Sequence, residues 1–455
     1  YNSTHKRPPL FGADPAFSWS DNNRCGEWMK TTLKILTYFS AILGISIFLR
    51  PADDSARILL WIPKLMGGAL SPILRITSGW GAVMGLLRRD WNLTIAGILG
   101  LGLATRFIKD LPNSDEQFNR TFGSDKVDVW RRRDDSARYP SPQQSAPITV
   151  DFQRDIICGQ NPQSGAPLVA DLWQPGGEIP HSGLGVVYAH GSGWRVGDKD
   201  MLTRHFFQHL ARQGHVVLDI AYTLWPKCDL PTMVAEFNQA ILWLKENSAK
   251  LRINPERIIA MGGSAGGHLA LLAAYAAEQT EFKPFPESGD TSVRGVVAFY
   301  PPVDLLEIYL HAKEQAKTQI TIVDRAAQGM MKRIFMLHTD TSGEVEQDNQ
   351  VMNNFYVELL GGTPDEVPEV YQLLSPIQHV GPHCPPTLLL QGGDDVFNLA
   401  PGVHRLHHEL QAAGATSILV EYPHTEHGFD LVLPSVSPVA RSATHEVGRF
   451  LSLLA

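Results

Sequence analysis

The sequence has 455 residues, about three times the roughly 150 of an average domain. Apolar residues make up 44% and charged residues 19%, which excludes a disordered chain, a coiled coil and a disulfide-stapled miniprotein. The formal net charge of −8 excludes nucleic acid as the main partner, because phosphate binding needs a basic surface. The charge is divided: residues 1–110 carry 13 Lys and Arg against 7 Asp and Glu, residues 111–455 carry 26 against 40.

Residues 1–30 read as an N-terminal tail. The chain opens on Tyr1 rather than Met, which leaves room for a removed leader. The four cysteines, Cys25, Cys158, Cys228 and Cys384, form no C-x-x-C pair, so free buried thiols are expected and neither a metal site nor a disulfide framework.

Two uncharged runs follow, Ile35 to Leu49 and Trp91 to Thr105, each a few residues short of the roughly 20 that span a bilayer. Basic residues flank both and can snorkel toward headgroups, while Tyr38, Trp80 and Trp91 suit an interfacial belt. Residues 57–87 are apolar but interrupted by Pro63, Lys64, Pro72 and Arg75, which predicts an interfacial or re-entrant helix rather than a span. Residues 31–110 are therefore expected to form a helical, membrane-associated region in contact with lipid. The endoplasmic reticulum is one candidate compartment. The competing reading is a set of buried helices on a soluble domain. Positive charge on both sides of each run gives no orientation.

Residues 111–145 have linker composition, with Pro112, Pro140 and Pro142 and the run Arg131-Arg132-Arg133. Glycosylation sequons stand at Asn2, Asn92 and Asn119.

From residue 146 to 455 strands and helices alternate. Strands are predicted over 148–157, 168–173, 184–189, 215–222, 258–261, 295–299, 387–390 and 418–422, with helices over 200–213 and 230–248. The inner strands are continuous apolar runs, so the fold class is α/β with a mostly parallel sheet covered by helices. With its acidic balance this part is expected to be soluble by itself.

Four motifs fall at strand ends. Gly262-Gly263-Ser264-Ala265-Gly266 joins a strand to a helix, where glycines permit a sharp turn that exposes a serine hydroxyl. His190-Gly191-Ser192-Gly193-Trp194 offers backbone N–H groups to a developing oxyanion. Gln391-Gly392-Gly393-Asp394-Asp395 supplies a carboxylate that could orient a base, with either aspartate eligible. His424-Thr425-Glu426-His427-Gly428-Phe429 supplies two imidazoles, of which His427 is the stronger candidate.

On these motifs, with Leu360-Gly361-Gly362-Thr363-Pro364 and Tyr222-Thr223-Leu224-Trp225-Pro226, residues 146–455 resemble the α/β-hydrolase superfamily. The resemblance is to its hormone-sensitive-lipase-like and feruloyl-esterase-like carboxylesterases. It implies Ser264 as nucleophile, His427 as general base and Asp395 as its orienting acid, with Asp394 a neighbour. It further implies an oxyanion hole from Ser192, Gly193 and Ala265, with Ser192 where the family usually has glycine. His190 and His268 would be structural. No metal or other cofactor is required, and the implied partner is a small-molecule or lipid-like ester. Oligomeric state is not legible.

Residues 303–358 read as a cap insertion, in which the Met-rich stretch from Ala326 to Met336 would meet acyl chains. Three related activities fit less well. A prenylcysteine methylesterase-like enzyme shares the apolar region and a triad. A formamidase-like amidase fits that region poorly, and a non-enzymatic receptor is expected to lack a triad member.

Overall fold

A computed structural model of the chain describes residues 19–125, 149–177, 179–283, 289–315, 322–334 and 351–455. The sequon at Asn2 and the run Arg131–Arg133 lie outside the described residues. Among the described residues there are eight strands: β1 (Val150–Gln160), β2 (Pro167–Pro175), β3 (Gly185–Ala189), β4 (Val216–Ala221), β5 (Ile258–Gly263), β6 (Gly295–Phe299), β7 (Thr387–Gly392) and β8 (Ser417–Tyr422). They form one sheet in the order β1-β2-β4-β3-β5-β6-β7-β8. The β1–β2 and β2–β4 pairs are antiparallel and the remaining pairs parallel, as the alternating pattern predicts.

β3, β5, β6 and β7 are buried along their whole length because helices cover both faces. Side chains alternate between two cores: Val187 and Ala189 join helices Leu230–Glu246 and Ala265–Tyr275, whereas Val186 and Tyr188 join helices Arg204–Arg212 and Pro438–Leu454. Cys158, Cys228 and Cys384 are buried free thiols.

The N-terminal region is three long helices, α1 (Trp19–Phe48), α2 (Asp54–Arg88) and α3 (Trp91–Lys109), joined by short turns and packed on one another. Residues 57–87, expected as an interfacial or re-entrant helix, lie in one continuous helix that contains Pro63 and Pro72. Each proline removes a single ladder donor, and neighbouring helices hold the backbone in place. The helices approach at small residues. A Cβ on Gly81 would lie 2.2 Å from Thr37 Oγ1, and one on Gly97 2.3 Å from the backbone nitrogen of Ala82.

The outer faces of these helices are apolar and exposed, with Ile35, Ile42, Ile76, Leu87, Ile95 and Ile98 among the exposed residues. All three are long and apolar enough to cross a membrane. Their ends nearest the sheet are buried: Ile47, Leu65 and Phe107 share a core with Tyr422, Phe429 and Phe450. The bundle is therefore packed onto the α/β part rather than set apart from it. Part of the expected linker is also ordered as α4 (Asp115–Phe122). Phe118 of α4 is fully buried, with the Arg449 guanidinium 4.0 Å from its ring centre and 3.0 Å from Asp115. Within the expected cap, helices Leu305–Gln315 and Ile322–Ile334 are described, and His311 meets Asp54 of α2 at 2.8 Å.

His268 is completely buried in helix Ala265–Tyr275 and its Nε2 bonds the carbonyl of Leu374 at 2.7 Å. Burial lowers its pKa from 6.5 to about 4, outweighing that hydrogen bond. A folded-state value below the unfolded one means that its contribution to stability is present above about pH 6.5 and is lost as pH falls through about 4. His268→Gln keeps a donor for Leu374 but binds no proton. The difference in Tm between variant and wild type, measured by calorimetry, should therefore move in the variant's favour as pH falls from about 6.5 to about 4. A difference that stays constant across this range counts against a buried neutral imidazole.

Candidate active site

The parallel strands β3, β5, β6, β7 and β8 lie side by side, and the segments leaving their carboxyl ends meet at one edge of the sheet. Open α/β sheets bind ligands there. β5 delivers Ser264 with φ 53° and ψ −120°, a backbone conformation unfavourable for a side chain. The turn is closed by glycines: a Cβ on Gly262 would meet the carbonyl carbon of Gly266 at 2.3 Å, and one on Gly266 the carbonyl oxygen of Ala189 at 1.9 Å. Only glycine permits this contact between the serine turn and the end of β3. Ala265 opens helix Ala265–Tyr275, whose dipole points its positive end at the turn.

The segment after β3 lies against the same turn. A Cβ on Gly191 would stand 3.2 Å from Ser264 Cβ. Ser192, Gly193 and Trp194 all adopt positive φ, at 89°, 61° and 58°. Ser192 thus takes a backbone shape that favours glycine, so the departure from the family's usual residue keeps the loop's course. Among the described residues, the N–H groups of Ser192, Gly193 and Ala265 have no intramolecular acceptor. His190 is buried, donates from Nδ1 to the Gly191 carbonyl at 2.8 Å and stacks on Tyr222. Burial lowers its pKa to about 4.

Of the two adjacent aspartates, Asp395 reaches the imidazole: its Oδ2 is 2.8 Å from His427 Nδ1. The side chain of Asp395 is fully buried and that of His427 is 12% exposed. Asp395 Oδ1 accepts from the backbone N–H groups of Phe397 and Asn398 at 2.9 Å each, and Gln391 Nε2 donates to Oδ2 at 3.3 Å. Asp394 points elsewhere, to Lys64 at 2.7 Å and Arg50 at 2.9 Å. His424 packs on Phe48 and meets Arg50, on the seam with the N-terminal helices.

Tyr300, Asp430, Trp61 and Lys64 also belong to this region and carry no motif that would reveal them. The Tyr300 ring lies 4.3 Å from that of His427, and its hydroxyl donates to Asp430. Burial raises the Asp430 carboxyl to about 6, with the Tyr300 bond pulling the other way. Trp61 Nε1 donates to the His427 carbonyl at 2.8 Å. Tyr300 follows a strand-end position as the other groups do, which is the one signal that could have found it. No cluster of His, Cys, Asp and Glu suited to a metal ion occurs among the described residues.

The BD-FAE family model matches residues 181–403. Esterase LipQ of Mycobacterium tuberculosis is 26% identical over 290 residues, covering 62% of this chain and 59% of LipQ. Esterase LipC of the same organism is 26% identical over 363 residues, covering 75% of this chain and 80% of LipC. That share exceeds residues 146–455 alone, so the likeness to LipC includes residues before 146. Among solved structures, an inhibited esterase B from Lactobacillus rhamnosis superposes with a TM-score of 0.51 at 20% identity, covering 73% of this chain and 96% of that one. At that identity the likeness speaks to fold alone. Family match, relatives and fold point the same way: residues 181–403 match the BD-FAE family, the chain is similar to named esterases, and its fold is like that of esterase B.

Proposed function

We propose that the protein is a serine hydrolase of carboxylic esters, acting through an acyl-enzyme on Ser264. The observation that carries the reading is the 2.8 Å bond between His427 Nδ1 and the buried Asp395 carboxylate, at the sheet edge where Ser264 sits on its strained turn. His427 Nε2 takes the Ser264 proton as Oγ attacks the ester carbonyl, and Asp395 holds the tautomer and stabilises the imidazolium. The N–H groups of Ser192, Gly193 and Ala265 receive the oxyanion, worth about 3–4 kcal/mol of transition-state stabilisation in such sites. His427 then protonates the departing alcohol, and water attacks the acyl-enzyme by the reverse route. The named esterase relatives agree with an ester substrate.

Ser264→Ala should remove fluorophosphonate labelling and lower turnover of p-nitrophenyl butyrate by about a thousandfold or more in a folded protein. Near-native turnover would sink the assignment. Asp395→Asn should cost about a hundredfold or more and Asp394→Asn no more than about tenfold, because only Asp395 meets the imidazole. The reverse order of losses would move the acid to Asp394.

The same reading places α1–α3 in a bilayer as the protein's anchor, with a lipid-like ester reaching the site from that side. Its support is the exposed apolar surface of three helices of membrane-spanning length, packed through glycines. The chain should therefore resist extraction by carbonate and require detergent. Asn92 lies in the first turn of α3, and Asn119 lies in α4, beyond the other end of α3. In a spanning bundle they face opposite sides, so at most one of them can carry a glycan. Mass spectrometry that finds both modified on one chain would rule out the spanning arrangement.

A further inference from the structure

Three residues of α2, Arg57, Trp61 and Lys64, form one helical stripe, and all three touch the segments that carry Asp395 and His427. Arg57 donates to the carbonyl of Asp394 at 3.2 Å and reaches that of Asp395 at 3.5 Å. Trp61 holds the His427 carbonyl and packs edge-on against Phe397, which itself lies against the His427 ring. Lys64 bonds Asp394 Oδ2 at 2.7 Å and stands 2.8 Å from Glu426 Oε1. The cluster is sealed: side-chain exposure is 3% for Lys64, 6% for Asp394 and 1% for Glu426.

The positions matter because Asp394 immediately precedes Asp395 and Glu426 immediately precedes His427. One ammonium therefore grips the neighbours of both partners of the Asp395–His427 bond. The two segments also meet directly, through the Asp394 N–H to the Thr425 carbonyl at 3.0 Å. That bond does not fix either side chain. Resting on the serine-hydrolase reading above, we propose that Lys64 is a positioning residue for the reaction: its ammonium locks Asp394 and Glu426 so that Asp395 and His427 keep their geometry, which makes α2 a working part of the active site.

The physical ground is the sign and burial of the charges. Without Lys64, two largely buried carboxylates are left side by side with Arg50 alone, on Asp394, to offset them. Burial already raises the Glu426 carboxyl to about 7 with Lys64 in place and pulling it down. Removing the cation leaves Glu426 to protonate or to swing away, and Asp394 to follow Arg50, which is 57% exposed. Either movement is transmitted along one peptide unit to Asp395 or His427. A misplacement of about 1 Å in a catalytic group can cost about a hundredfold in rate.

The test uses the full chain in detergent with p-nitrophenyl butyrate. Lys64→Met should lower kcat at least about tenfold with KM changed less than about twofold, and Lys64→Arg should return kcat to within about threefold of wild type. If Lys64→Met does not fold, Glu426→Gln is assayed in the same way at about pH 8.5, where the native carboxyl is ionised. It should show kcat lower by about threefold to tenfold at unchanged KM. A folded Lys64→Met protein with native kcat, or with only KM raised, overturns the inference. So does native kcat in Glu426→Gln where Lys64→Met cannot be folded. A wild-type protein that neither binds a fluorophosphonate nor turns over the ester overturns instead the hydrolase reading, and this inference with it.

Discussion

A single buried ammonium between two carboxylates joins the two halves of this molecule. Taking such charges out of water is costly, and breaking one partner of a buried pair typically costs about 3–5 kcal/mol. What the arrangement supplies in return is register. An apolar helix face such as that of α2 can slide along an apolar partner with little change in buried area. Lys64 can meet Asp394 and Glu426 in only one axial position. That position also brings Trp61 to the His427 carbonyl and Arg57 to the Asp394 carbonyl. The docking of α2 is thus specified by polar contacts and filled in by Ile47, Leu65 and Phe107.

Much of the α/β part is legible in the sequence because its inner strands are short continuous apolar runs. Val186-Val187-Tyr188-Ala189 and Ile258-Ile259-Ala260-Met261 are strands in the sheet, and the parallel pairing follows from the helices between them. The serine turn is legible for a local reason: a Cβ on Gly262 would come within 2.3 Å of the Gly266 carbonyl carbon, so the glycine spacing is itself the geometry. The choice between Asp394 and Asp395 is not local. Adjacent residues leave a turn in different directions, and only packing against Lys64 and Arg50 shows which one is engaged elsewhere.

The N-terminal region illustrates the opposite case. Pro63, Lys64, Pro72 and Arg75 are interruptions on a hydropathy scale, yet they lie within one helix of 35 residues. Propensity misleads because the helix is held by neighbours rather than by its own ladder, with Gly67, Gly81 and Gly85 set against α1 and α3. Lys64 reads as a break in an apolar run because its partners lie 330 residues away at Asp394. Likewise α4 has linker composition, and what holds it lies far along the chain, with Arg449 meeting Asp115 and Phe118, and Phe450 sharing a core with Phe118.

The division of charge along the chain acquires a structural meaning at this seam. Residues 1–110 are basic and residues 111–455 acidic, and the two parts touch where Arg50, Arg57 and Lys64 meet Asp394, Glu426 and the carbonyls beside them. Asp110 and His424 add a contact at the same place, 3.6 Å apart. Opposite charge therefore concentrates where the helices dock, while the outer faces of the helices carry Ile42, Ile76 and Ile95 to the surroundings. A bundle meant only to tether a soluble domain has no need of buried charge at the junction, since a flexible linker and an apolar run suffice for that task. Charge buried beside Asp395 and His427 instead ties α2 in one register to the segments that follow β7 and β8.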